Sequence, residues 1–373
     1  MKTTLLYSFF TALLLIFISN FSFGQAAPKD SLWQTAPKIN FSAYVDIFYA
    51  FDFQQPQNSS SRQPFLYNHN RHNEFNLNNG IAKVALTHPK YRANLAFHAG
   101  TYVNDNYANE PTSLKFINEA NIGLSLNKNN NLWLDAGVLP SYIGFESAVS
   151  MDNQTLTRSI LAENSPYFMT GARLSYQANA KLSAAVLICN GWQRIARLAG
   201  NSLPSFGSQI NYTPSSKLAI NWSTFVGADS PDSARLMRYF SNLYLQGTPN
   251  QKLKYTLGFD FGAQQTQPNS QNMSFWLSPV AIVAYQFAPK YTAALRAEYY
   301  YDPYRAITQP SDQHSIRCFS SSFNLDYRPM PNIACRLEAR YFQNQDPIFF
   351  QKNNQLTNHN FILVASIAAK LQP

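Results

Sequence analysis

From Phe41 onward the apolar side chains fall on every second position. Phe41, Ala43, Val45, Ile47, Tyr49, Phe51 and Phe53 share the odd phase, while Ser42, Asp46 and Asp52 lie on the even one. A period of two is the mark of an extended strand, whose successive side chains leave opposite faces. The alternation returns in Tyr91, Leu95 and Phe97 against Arg92, Asn94 and His98, in Ile220, Trp222 and Val226 against Asn221 and Ser223, and in Ile333, Cys335 and Leu337 against Arg336, Glu338 and Arg340. Each run lasts roughly ten residues, the length a tilted strand needs to cross a bilayer. The pattern predicts about sixteen strands near 39–53, 72–88, 90–104, 115–127, 131–139, 168–178, 181–191, 205–213, 217–228, 234–247, 252–266, 273–288, 291–302, 316–328, 332–343 and 359–371.

The connections sharpen the prediction. Short polar turns such as HPK, NKNNN, QANAK, TPSSK and APK alternate with longer segments, of which 140–171 is the longest. Strict alternation of short and long connections is the order of an antiparallel up-and-down β-barrel, with tight turns on the periplasmic side and long loops outside the cell. The expected class is therefore all-β, a transmembrane barrel occupying 25–373.

Composition supports a membrane setting. Aromatic residues make up 15% and charged residues 13% of the chain, against a usual charged share of about 25%. The polar phase of the strands is rich in Asn, Ser, Gly and Gln rather than heavily charged, which suits a wet lumen better than the outer face of a soluble sandwich. Downstream of the N-terminus no run is apolar for 18 residues, so strands, not helices, must cross the membrane. The first residues, MKTTLLYSFFTALLLIFISNFSFGQAA, have a lysine, an apolar run and small residues near position 24. That is the plan of a secretory signal peptide over 1–24, removed after export. The stretch left before Phe41 is too short for a plug domain.

Sixteen strands enclose an aqueous channel, where eight would be filled by side chains. Arg92, Arg173, Arg296, Glu298, Arg336, Glu338 and Arg340 fall on the polar phase and are the seven candidate pore-lining residues, with Glu119 as a further acidic companion. With a formal net charge of +9 at pH 7, the lumen is expected to favour anionic or neutral polar solutes mildly; alternatively these charges pair with one another and tune nothing. Segment 140–171 carries Glu146, Asp152, Arg158 and Glu163 and a helix-like stretch around Thr155 to Leu161. Loops of this length are uncommon without a functional reason. This one either folds inward as a constriction or forms an outer cap or subunit contact.

Other chemistry is less well marked. YNHNRHNEF, from Tyr67 to Phe75, collects His69, Arg71, His72 and Glu74. A zinc-protease helix needs His-Glu-x-x-His, whereas here the acid lies outside the histidine pair. Arg71, His72 and Glu74 are expected to form a polar cluster at the barrel rim, hydrogen-bonded to neighbouring strands or a folded loop, and a metal would bind only if the loop carrying His69 curled back. Cys189, Cys318 and Cys335 are too few for a disulfide framework, and the opposite phases of Cys318 and Cys335 predict free thiols. No P-loop, G-x-S-x-G, G-x-G-x-x-G or C-x-x-C motif occurs, so neither a cofactor nor nucleic acid is an expected partner. An enzyme set in the barrel wall, of lipase or protease type, and a closed structural or adhesive barrel are the rival functions.

The runs YNHNRHNEFNLN, WLDAGVLPSYIGFESAVSMDNQTLTRSILAENSPYF, LICNGWQRIAR, ALRAEYYYD and ARYFQNQDPIF resemble the outer-membrane β-barrel porins of the OmpL-like class of Gram-negative bacteria. The resemblance covers nearly all of the chain after the signal peptide. It implies an outer-membrane porin passing small polar solutes, surrounded by lipid, inserted by the barrel-assembly machinery and open to forming a homo-oligomer; it implies no catalytic residue. One departure is the C-terminus, FILVASIAAKLQP, which lacks the terminal aromatic common in such barrels.

Overall fold

A computed structural model describes residues 35–57, 65–308 and 315–372; the expected signal peptide at 1–24 lies outside them. Sixteen strands close into one antiparallel barrel. In chain order they are β1 (Lys38–Asp52), β2 (Phe75–Thr87), β3 (Tyr91–Ala99), β4 (Ile117–Ser125), β5 (Leu132–Pro140), β6 (Phe168–Gln177), β7 (Leu182–Cys189), β8 (Ser205–Ser215), β9 (Leu218–Ala228), β10 (Met237–Gly247), β11 (Leu253–Gln265), β12 (Met273–Ala288), β13 (Tyr291–Asp302), β14 (Ile316–Met330), β15 (Ile333–Asn344) and β18 (His359–Leu371). Two short strands, β16 (Phe349–Phe350) and β17 (Leu356–Thr357), form a separate ribbon in the last long loop. Each barrel strand pairs with its sequence neighbour, and β1 pairs with β18 from Ala43↔Leu371 to Asp52↔Ile362, so no edge is left open. Closure is what allows a sheet to satisfy its backbone in lipid.

The period-two pattern has its predicted consequence. On β1, Phe41, Val45 and Ile47 face outward and are exposed, while Asp46, Phe48, Ala50 and Asp52 are fully buried inside. Outward faces carry Leu95, Ile122, Val186, Leu243, Leu257, Leu295 and Leu363 at mid-height. Exposed aromatic side chains stand at both ends of the strands: Tyr176, Tyr212, Tyr285, Phe287, Tyr291 and Tyr327 toward the short turns, and Phe53, Phe75, Phe206, Phe261, Phe275 and Phe361 toward the long loops. Such girdles mark the membrane interfaces. Among the described residues no helix is long and apolar enough to cross a membrane.

Two departures from the sequence expectation lie at the loop end. The strand predicted to run to 104 stops at Ala99, and Thr101–Asn106 forms a short helix, α1. Val103 continues the apolar phase, but it and Tyr102 bury against Tyr107 and Phe168 instead of facing lipid. The helix expected over Thr155 to Leu161 is instead the single turn α2, Ile160–Glu163, capped where the Ser159 side chain accepts from the Ala162 amide. The two threonines before it are committed to other partners.

Candidate functional site: a loop fastened across the lumen

The loop between β5 and β6 turns into the barrel and spans it. Close to β5, the Tyr142 hydroxyl donates to the Thr224 carbonyl at 2.6 Å, and the Tyr142 carbonyl accepts from Gln209 and Ser223, both at 2.9 Å. The Gly144 amide donates to the Asn242 side chain, 3.2 Å away on β10. Glycines in the wall make room for these contacts: the Tyr142 ring end lies over Gly207, and Phe145 lies over Gly258 and edge-on to Tyr244. A Cβ at either glycine would collide with the loop aromatic.

The far half of the loop is held by charge. Arg296 and Glu298 on β13 and Glu338 and Arg340 on β15 sit two residues apart on inward phases, so their side chains share the lumen face. Arg296 pairs with Glu338 at 2.7 Å and Arg340 with Glu298 at 2.6 Å, with all four side chains essentially sealed from solvent. Much of the remaining hydrogen-bonding capacity goes to the loop. Glu338 accepts from the Thr157 amide (2.6 Å) and hydroxyl (2.9 Å), and Glu298 from the Ile160 amide (2.7 Å). Arg296 donates to the Thr157 carbonyl (2.6 Å) and Arg340 to the Arg158 carbonyl (3.0 Å). Arg336 pairs with Asp326 at 2.7 Å and donates to the Ser150 and Asn153 carbonyls. Tyr44 on β1 hydrogen-bonds Ser150, and Lys370 on β18 pairs with Asp152 at 2.8 Å. The loop thus touches both sides of the barrel wall.

Of the seven side chains expected to line the pore, five (Arg296, Glu298, Arg336, Glu338 and Arg340) face inward but lie under the loop. Arg92 and Arg173 remain partly open and share Asp135, at 2.7 and 3.5 Å, beside a cavity of about 370 Å³ toward the short turns. Asp135 occupies the inward phase of β5, a position that only the strand alternation could mark in the sequence.

The four loop residues separate. Asp152 lies at the short-turn end with Lys370, and Glu163 accepts from the Tyr67 amide and the Asn68 side chain, both at 2.9 Å. Arg158 stacks over the Tyr167 ring at 4.9 Å and donates to the Ala162 carbonyl. Glu146 accepts from the Ser159 amide and hydroxyl. Burial pushes the Glu146 carboxyl above the usual carboxylate range, against the opposing pull of the Arg296 and Arg158 charges. Glu146 and Arg158 border a cavity of about 480 Å³ whose opposite wall carries the Lys83–Glu119 ion pair, 2.7 Å long. On the loop-end side lies a second cavity of about 490 Å³, bordered by Glu163, Trp192, Arg238 and Arg305.

The three rim residues each meet a different partner. Arg71 forms a two-point ion pair with Asp105 of α1, the His72 Nδ1 accepts from the Asp52 amide at 2.9 Å, and Glu74, just before β2, accepts from Asn76 two residues on. Beside them the β1–β2 register slips at Asp46/Ile47, an irregularity of the kind that bends a strand locally. His69 does curl back into the barrel: its Nε2 lies 3.0 Å from Asp46 Oδ2, its amide donates to Asn78, and its ring stands edge-on to Phe48. Among the described residues no group of three or more His, Cys, Asp or Glu side chains is placed to share a metal ion. All three cysteines are free thiols.

Solved structures share the architecture. The outer membrane channel DcaP of Acinetobacter baumannii superposes with a TM-score of 0.60 at 10% identity, covering 90% of this chain and 98% of that one. The anion-selective porin from Comamonas acidovorans gives 0.60 at 8% identity, covering 90% and 100%. OmpT of Vibrio cholerae in its trimer form gives 0.56 at 9% identity, with the same coverage as the Comamonas protein. At such identities the likeness is one of fold. No curated protein matches the sequence. The family described as "Putative beta-barrel porin-2, OmpL-like" matches residues 38–371, the whole of the barrel from β1 to β18. The chain belongs to this family of outer-membrane porins.

Proposed function

We propose that this barrel passes small polar solutes by diffusion and that the 140–171 loop is its constriction. The observation that carries the reading is the buried Arg296, Glu298, Glu338 and Arg340 cluster, which ties the loop to the β13–β15 wall. On the other side the loop leaves a cavity, so the route runs between it and the β1–β4 wall, past Lys83, Glu119, Glu146 and Arg158. At that gap both signs of charge face the solute, which suits neutral polar molecules and weakly charged ions. A mild anion preference would arise at Arg238 and Arg305 of the loop-end cavity and at the basic short-turn rim, since the wall arginines beneath the loop are neutralised by carboxylates. The loop's charges serve to fasten it, which favours a channel over a wall-embedded enzyme or a closed adhesive barrel. Assembly into homo-oligomers and insertion through the barrel-assembly machinery complete the proposal.

Planar-bilayer recording tests it. Discrete conductance steps are expected; a silent barrel that hydrolyses ester substrates would point to the enzyme, and silence without turnover to the adhesive barrel. Chemical cross-linking of the membrane-embedded protein reads the oligomeric state.

A further inference from the structure

The net positive charge of this chain has a location. The barrel's seven short turns, 88–90, 126–131, 178–181, 216–217, 248–252, 289–290 and 331–332, contain no Asp or Glu, and all but the last contain a lysine. Lys128, Lys181, Lys217, Lys252 and Lys290 are exposed and enter no ion pair among the described residues. The loop end, by contrast, mixes Glu74, Asp105, Glu110, Asp229, Asp232 and Asp346 with its cations. The lysines sit immediately beyond the short-turn aromatic girdle. Tyr176 precedes Lys181, Tyr212 precedes Lys217, and Lys290 lies between Phe287 and Tyr291, whose rings stack at 5.9 Å. Tyrosines hold the headgroup level of a bilayer, and a lysine stem beside them lets the ammonium reach the phosphate plane while its methylenes stay on apolar surface.

We propose that this ring of turn lysines binds anionic phospholipid headgroups of the periplasmic leaflet and selects an acidic lipid annulus around one end of the barrel. The adjoining lipid-facing girdle argues for lipid, because a soluble or polymeric polyanion would need no such depth-setting surface. Each basic side chain near an anionic surface is worth about a fivefold change in partition, and the attraction fades beyond a Debye length of roughly 8 Å at physiological salt.

The test uses the full barrel in phosphatidylcholine bilayers with spin-labelled phosphatidylglycerol or phosphatidylcholine as probe. The motionally restricted fraction at the protein surface should favour phosphatidylglycerol several-fold at low salt. That preference should collapse in high salt and in the variant carrying K128Q, K181Q, K217Q, K252Q and K290Q. The heat-dependent gel shift of a closed barrel reports that the variant folds; should it fail to fold, single K→Q variants must each lower the preference. Equal restriction of the two probes by the wild type, or a preference that persists in the variants, overturns the proposal. So does lysine-dependent, salt-sensitive co-sedimentation with peptidoglycan in the absence of lipid selectivity.

Discussion

At the residue scale, the controlling feature is a set of charges that complete one another only with the loop's help. Buried ion pairs must regain from partners the hydration they lose, and here the loop amides and carbonyls supply it. Replacing Arg340 by Gln removes the nearer of the two cations beside Glu298, leaving only Arg296 at 3.2 Å. A loss of about 3–5 kcal/mol in unfolding free energy is expected, read as a lower denaturant midpoint, together with a larger and noisier conductance as the loop loosens. Glu146 acts in the opposite sense. Its folded-state pKa is raised by burial, so the folded protein holds the proton more tightly than the unfolded chain, and stability rises as pH falls through the folded pKa. Glu146→Gln should therefore be more stable than wild type at neutral pH, with the difference shrinking on acidification; thermal unfolding between pH 8 and pH 4 checks this. The sequence revealed the polar phase of Arg296, Glu298, Glu338 and Arg340, because alternation fixes which face a strand residue takes. It did not reveal that their partners are Thr157, Arg158 and Ile160, because such contacts join segments more than a hundred residues apart and leave no local periodicity.

At the element scale, strands were legible and loops were not, for one physical reason. Lipid outside imposes an apolar residue at every second position on a strand, while a loop answers only to the surface it meets. Strands β12, β13 and β18 match their sequence-derived limits, whereas α1 was hidden in an apolar run that looked like continued strand. The loop's aromatic contacts give the sharpest test. In Gly258→Val the new side chain takes the space of Phe145, and in Gly207→Val that of the Tyr142 hydroxyl. Both variants should still close the barrel, because both strands keep their ladders. Both should raise single-channel conductance several-fold by lifting the loop off the wall. Unchanged conductance in both would argue against the loop as the constriction.

At the scale of the whole molecule, charge is partitioned: inside the barrel most cations have a carboxylate partner, and the surplus stands on the short-turn rim. Rim charge acts on ions and on lipid headgroups but not on uncharged solutes, so lysine substitutions at 128 and 217 should leave the permeation rate of neutral solutes unchanged in liposome-swelling assays. Closure depends on β18, which pairs with both β1 and β15. Truncation after Asn358 exposes two edges and should abolish the heat-dependent gel shift. The attachment of the loop also sets an order of events. Residues 150–163 leave the ribosome long before Arg296, Arg336, Glu338 and Arg340, yet they have no stable resting place until β13 to β15 are aligned. This part of the loop is thus fastened only once that wall is complete, and a half-built wall cannot hold it. A fastened loop is therefore a molecular record that the late strands have been correctly registered.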